Sequence, residues 1–382
     1  MTGKQDGVLI RELTPDDVEE ADRLRRVAYG SIGDPSLCPG RRGLAAELGG
    51  RLVGVLTVKD FHQFYGGSTV PMGGIGLAVA PHARGRGLAS ALLDAALRDM
   101  RERGQPLSVL YATVPALYRS RGWERAGVFE YLEFPLDRMP AGERVLARPA
   151  GEGDLQALHA CYTDLASTVN GLIDRSPPTI DVADVLKLDV VSVVPGHDGE
   201  VRGYLTAERG THGLRVFDLV GRDVATQLGL LRELGSWAGV LDKALVRVTD
   251  PAVTGLLTNQ AIEHTITTST WLLRVVDLPA AVAARGWPAA EWLKPASVDL
   301  DVVDEHAPWH AGRHRLVVED GRVRVEPGGS GAVRLHARAL GPWFSGMQDS
   351  HALRRAGLLD GDAALLDRLV GAPGVPRLAD FF

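Results

Sequence analysis

Four consecutive residues, Arg84-Gly85-Arg86-Gly87, set two guanidinium groups beside two positions without side chains, immediately before the alanine- and leucine-rich stretch "LASALLDAALRDM". A helix that starts there opens with unpaired backbone N–H groups and the positive end of its macrodipole, which together hold anions and phosphate above all. The arginines add charged donors, and the glycines let the backbone approach a pyrophosphate closely. Two phosphate loops can be set aside. No Lys-Ser/Thr pair follows the glycines, and no Gly-x-Gly-x-x-Gly opens the helix with an acid downstream. Nucleotide hydrolysis and dinucleotide binding therefore lose ground.

Other chemistry-bearing residues point less far. His306, His310 and His314 recur every four residues, the spacing of ligands on one helical face, but Pro308 interrupts such a helix and no metal site is expected. No Gly-x-Ser-x-Gly elbow supplies a serine nucleophile. Asp299 and Asp301 alternate along a strand and are expected to face water, and Glu124 and Glu130 to lie on the surface. Cys38 and Cys161 stand 123 residues apart and match neither a zinc motif nor a disulfide framework, which fits a reducing cytoplasm.

Elements must hold the loop in place. "GVLIREL" reads as a strand, and Thr14, Pro15, Asp16 and Asp17 as the cap, first position and acidic first turn of a helix. "GGRLVGVLTVKDF" and Val70 to Val79 read as two further strands. Leu88, Leu92, Ala95 and Met100 then recur at helical spacing until Arg103 and Gly104 close the helix, and "PLSVLYAT" is the next strand.

The pattern repeats. "RELTPDDVEEADRL" (11–24) lines up with "RPAGEGDLQALHAC" (148–161), keeping the arginine, an aspartate and the apolar spacing, and "GRLVGVLTV" (50–58) lines up with "GEVRGYLTA" (199–207). Two α/β units in tandem account for this. Where the second should carry an arginine and glycine loop it reads "FDLVGRDVATQLGLL", with one glycine and one arginine, Gly221 and Arg222, at the turn. From about Leu278 the character changes to "DLPAAVAARGWP", "SVDLDVVD" and "HRLVVEDGRVRVEP", the pattern of a third, α+β module. The chain ends on Phe381-Phe382, a pair whose burial is expected.

A chain of 382 residues has room for two or three domains, and 45% apolar with 24% charged residues is a globular composition. A net charge of -6 argues against a nucleic-acid partner and favours cationic small ones. No run of about 18 apolar residues suggests a membrane span, nor does the N-terminus carry a signal-peptide core.

The arrangement Arg84-x-x-Gly87-x-Ala89, entered from "GGIGLAVAP" and followed by "PLSVLYATVPALYRSRGW", resembles the acetyl-CoA loop, the bulged strand before it and the strand and helix after it in the GNAT superfamily of N-acetyltransferases. The whole layout is similar to the Eis (enhanced intracellular survival) branch. That resemblance implies two tandem GNAT folds, the second degenerate, and a C-terminal sterol-carrier-protein-like α+β domain, over residues 1–140, 141–284 and 285–382. It implies that Leu77, Ala78 and Val79 meet the pantetheine, that Arg84, Gly85, Arg86, Gly87, Leu88 and Ala89 hold the pyrophosphate, and that Thr113 stands where the branch has serine. In it Tyr118 protonates the departing thiolate and the terminal carboxylate of Phe382 assists deprotonation of the amine; where the branch implies an acidic pocket this chain has Phe381 beside its last residue, and Asp380 is the acid expected to compensate.

The activity so implied is acetyl-CoA-dependent N-acetylation of a primary amine by direct attack in a ternary complex. Aminoglycosides acetylated at more than one position are the substrates the branch implies; protein lysines or small polyamines are the alternative, and hexamers the implied assembly. A non-catalytic lipid-binding protein using the C-terminal module is the reading from another class.

Overall fold

The computed structural model describes residues 4–5, 7–30, 33–139, 142, 145–176, 180–196, 200–371 and 374–381. Phe382, Gly199 and the expected boundary between residues 140 and 141 lie outside them. The described residues form two compact units, 1–127 with 271–375, and 128–270 with 376–381.

The first unit opens with β1 (Lys4–Gln5), β2 (Val8–Glu12), α1 (Val18–Tyr29), β3 (Arg41–Leu48), β4 (Arg51–Tyr65), β5 (Ser68–Val79), α2 (Leu88–Glu102), β6 (Leu107–Leu110) and α3 (Pro115–Arg119). Strands β1 to β5 are neighbours in order and antiparallel, whereas β6 joins β5 in parallel. A parallel neighbour needs a crossover, and α2 supplies it. Leu88, Leu92, Leu93, Ala96, Leu97 and Met100 recur on one face of α2 and are all buried against the sheet. At about 1.5–3 kcal/mol per buried large apolar side chain, that face fixes the helix far more firmly than its propensity does.

β7 (Glu124–Pro135) leads into the second unit, which continues with β8 (Arg148–Pro149), α4 (Leu155–Ala166), β9 (Val190–Pro195), β10 (Val201–Arg209), β11 (Gly213–Gly221), α5 (Val224–Leu234), β12 (Lys243–Arg247), α6 (Ala252–Asn259) and β13 (Thr265–Val275). From Trp271 onward β13 belongs to the first unit. The second unit's strands run in the order β7-β12-β11-β10-β9-β8.

The repeat read in the sequence is visible bond by bond. Arg11 grips Asp17 with two hydrogen bonds, of 2.6 and 2.8 Å, and Arg148 grips Asp154 with two of 2.7 Å. The same aspartates accept the backbone N–H of Thr14 and of Gly151, so each opens its helix in the same way. Gly54 stands opposite Val79 in the first hairpin, and Gly203 opposite Gly221 in the second.

The C-terminal module holds α7 (Leu278–Ala284), β14 (Ala296–Val303), β15 (Gly312–Glu319), β16 (Arg322–Pro327), β17 (Val333–His336), α8 (Ala337–Ser345), α9 (Ser350–Arg355), β18 (Leu359–Asp360) and α10 (Ala364–Val370), with strand order β16-β15-β14-β17-β18. The three histidines do not share a helical face. His306 and His310 lie in the segment after β14, and His314 on β15. His310 is buried, accepts the backbone N–H of Leu278 on Nδ1 at 3.0 Å and donates from Nε2 to Asp304 at 2.7 Å. Asp304 also takes Arg274 at 2.5 Å, both side chains being shut off from water.

This cluster makes a pH prediction. Burial pushes His310 below its ordinary value, with the Asp304 hydrogen bond opposing only in part. The folded state therefore holds it neutral while the unfolded chain protonates it, so stability is present above about pH 6.5 and is lost as pH falls toward the folded value. Denaturation titrations should show the acid-side slope shrink by up to about 1.4 kcal/mol per pH unit in His310→Gln, relative to the native chain.

Candidate active site

The Arg84–Gly87 loop leaves β5 by a 3-10 turn, Pro81–Ala83, and ends at the first residue of α2. Gly85 and Gly87 have φ of 78° and 75°, and a Cβ at either would meet nothing within 4 Å. The glycines are thus required by backbone conformation, not by crowding. Gly87 caps α2, no side chain bonds the first-turn amides, and the first turn carries no acid. Arg84 and Arg86 are exposed, and Arg84 Nε donates to Val79 O at 3.3 Å. Leu88 is buried through its side chain, so what it offers an anion is its amide.

The second repeat has the opposite helix mouth. Asp223 caps α5 by accepting the backbone N–H of Thr226 at 2.8 Å, and pairs with Arg202 at 2.5 Å. A carboxylate already on those amides excludes a phosphate.

Beside the loop, β5 and β6 part. They pair from Met72↔Leu107 to Gly74↔Val109 and no further, so Ile75 to Val79, including Leu77 and Ala78, have no β6 partner. The expected bulge in β5 is absent: its register with β4 is continuous from Gly54↔Val79 to Tyr65↔Ser68. The opening comes from β6 ending early. Thr113 lies exposed in the segment between β6 and α3.

Tyr118, on α3, is 7% exposed and meets Trp123 edge-on at 6.4 Å between ring centroids. Burial, reinforced by the Tyr29 phenol, holds its hydroxyl pKa well above the ordinary tyrosine value. It is therefore protonated, and giving up that proton is more uphill than for a solvated tyrosine. Tyr29, at the last turn of α1, is the residue sequence reasoning missed. The backbone N–H of Leu77 bonds its hydroxyl, which lies 3.6 Å from where a Cβ on Gly76 would stand. Nothing in its spacing marked it, because only tertiary packing brings the end of α1 to β5.

The tyrosine helix is braced from the C-terminal module. Glu124 accepts Arg119 of α3 at 3.0 Å and Arg338 of α8 at 2.7 Å. The backbone N–H groups of Arg121 and Trp123 both donate to Tyr118 O, at 2.9 and 3.3 Å. Beneath that turn the Arg274 guanidinium lies 2.8 Å from where a Cβ on Gly122 would stand, and Gly122 has φ of 90°. Glu124 is thus buried in an ion-pair chain and does not lie on the surface as expected. Glu130, in the second unit, is likewise engaged, by Arg377 and by Thr268 Oγ1.

The C-terminal tail of the second unit is anchored before its aromatics. Leu378 and Ala379 are buried, and Leu378 N donates to Val128 O at 3.0 Å. Asp380 pairs with Arg175 at 3.0 Å and lies 3.6 Å from Arg247, so its charge is already compensated. Phe381 is 63% exposed although its ring centroid is 4.5 Å from that of Phe129, which corrects the expectation that it would be buried.

Residues 9–126 match the acetyltransferase (GNAT) domain family, and residues 278–378 the sterol carrier protein domain family. The chain is 30% identical to an uncharacterized N-acetyltransferase of Streptomyces coelicolor, across 92% of this chain and 89% of that protein. It is 26% identical to the N-acetyltransferase Eis of Mycobacterium tuberculosis, across 85% of this chain and 83% of that one. The crystal structure of a GCN5-related N-acetyltransferase from Anabaena variabilis superposes with a TM-score of 0.85 at 25% identity, covering 98% of this chain and all of that one. The fold is two tandem GNAT folds, the second degenerate, followed by a sterol-carrier-protein-like domain. The chain belongs to the GNAT N-acetyltransferases and is similar to the Eis branch among them.

Proposed function

We propose that the first repeat transfers an acetyl group from acetyl-CoA directly to a primary amine in a ternary complex. The observation that carries this is the contrast between the two helix mouths: glycine-capped and free of acids at α2, aspartate-capped at α5. The donor set fits the cofactor, since backbone amides and two exposed arginines face a loop where added side chains would meet open space. Acetyl-CoA supplies the acyl thioester. Arg84, Gly85, Arg86, Gly87, Leu88 and Ala89 hold its pyrophosphate, and the backbone of Leu77 to Val79 its pantetheine. Tyr118 delivers its proton to the leaving sulfur, and Thr113 stands at the edge of the same site. The Phe382 carboxylate takes the proton of the attacking amine.

The amine is a cationic small molecule, with aminoglycosides ahead of polyamines and lysine side chains. The chain works in the cytoplasm as a homo-oligomer, a hexamer in this branch, and its domains are residues 1–140, 141–284 and 285–382. Incubation with acetyl-CoA and a panel of aminoglycosides, polyamines and lysine peptides, read by product mass, tests the proposal. Aminoglycosides should gain one or more acetyl groups. Acetylation of lysine peptides alone would move the substrate class, and no acetylated amine in any arm would reject the reading.

A further inference from the structure

The second repeat keeps an opening of its own. β11 and β12 pair in parallel from Gly213↔Lys243 to Val216↔Val246, after which Phe217 to Gly221 run on without a β12 partner, as Ile75 to Val79 do in the first repeat. Register shifts in the β10–β11 hairpin beside Thr206, which leaves Phe217 as the extra residue. A cavity of about 300 Å³ opens there, between α4, the turn Val182–Lys187 and the sheet. Leu158, Ile180, Val182, Val185, Leu188 and Phe217 make its apolar wall.

Its polar groups are partnered unequally. Asp218 takes Arg175 at 2.6 and 3.1 Å and Thr249 at 3.1 Å. Asp380 pairs with Arg175, Asp181 accepts the Ala183 N–H at 2.9 Å, and Asp184 takes Lys187 at 2.5 Å. Every carboxylate of the lining is therefore engaged. Donors are what remain. Arg247 stacks over the Phe217 ring at 4.8 Å, gives Nη1 to the Ala379 carbonyl and lies 3.6 Å from Asp380 through the same nitrogen, while its buried Nε has no partner. The buried Nε2 of His159, also on the lining, has none either.

We propose that this cavity binds a small apolar carboxylate. Its charged end lies on the Arg247 guanidinium, a charged donor of the lining that suits a carboxylate. The apolar body lies against the wall from Leu158 to Leu188. Coenzyme A is excluded, because Asp223 occupies the helix mouth that would hold its phosphates.

Titration calorimetry on the full chain with 4-methylpentanoate, its primary amide and the matching amine tests this. The acid should saturate at one per chain and bind at least about tenfold tighter than the amide, the amine giving no saturable heat. Arg247→Met should weaken the acid at least about tenfold. Because Arg247 also holds the Ala379 carbonyl, Val185→Trp is the second variant: it fills the cavity from the turn and leaves the arginine–aspartate network in place. It should abolish acid binding while acetyl-CoA binding stays native. No saturation by the acid, equal binding of acid and amide, preference for the amine, or native acid affinity in Val185→Trp would each overturn the proposal.

Discussion

Tyr118→Phe lowers kcat for acetyl transfer by about 10²- to 10⁴-fold, the range a positioned general acid contributes, and leaves acetyl-CoA affinity within about twofold. Phenylalanine keeps the buried ring and its edge contact with Trp123, so the loss reports the hydroxyl and not the fold. The same burial that makes Tyr118 a reluctant acid keeps it protonated. Activity of the native enzyme should therefore not fall on the alkaline side up to about pH 10, where a solvated tyrosine would ionise. Steady-state thiol release across pH for both chains checks this. Undiminished turnover in the phenylalanine variant would remove Tyr118 from the chemistry.

Arg274→Met destabilises the first unit by about 3–5 kcal/mol, the cost of leaving a buried charge without its partner. Asp304 would keep His310 and the backbone N–H groups of His306 and Ala307 but lose its arginine, in a site closed to water. Burial pushes the Asp304 carboxyl up, and His310 and Arg274 together outweigh it and hold the group ionised. Removing both ends of the pair is expected to be far milder, so Arg274→Met with Asp304→Leu should recover most of the loss. Denaturant unfolding of the three chains measures it. A single variant costing under about 1 kcal/mol would mean that the pair is not holding the module. Because Arg274 also lies beneath Gly122, the single variant should lose activity at temperatures where it is still folded.

What the sequence disclosed and what it hid divide along the range of the interactions. The loop, α2 and the repeat were legible because their determinants are local: glycines at the left-handed Gly85 and Gly87, leucines at helical spacing, and an arginine six residues before its aspartate in both repeats. The missing loop of the second repeat was legible, but the aspartate cap that stands on its helix mouth, Asp223, needed the backbone in place.

Glu124 and Glu130 were read as surface residues although Arg119 stands five residues before Glu124, because the arginines that complete their ion pairs, Arg338 and Arg377, come 214 and 247 residues later. Tyr29 escaped notice for the same reason. The terminal aromatics misled in another way, since hydrophobicity alone ranks Phe381 as buried, whereas Leu378, Ala379 and the charge of Asp380 are what anchor the tail. The histidines at intervals of four were set aside as a helical face through Pro308, and the structure places two of them off any helix and the third on a strand.

One acetyl-CoA site per chain is expected, at the glycine-capped helix whose counterpart in the second repeat is capped by an aspartate. Titration calorimetry of acetyl-CoA into the native chain and into Gly87→Asp, which gives the first repeat the cap of the second, tests it most directly. The native chain should saturate at one acetyl-CoA per chain, and the variant should bind at least about a hundredfold more weakly, a loss of about 2.7 kcal/mol. Two sites per chain, no binding, or native affinity in Gly87→Asp would contradict it.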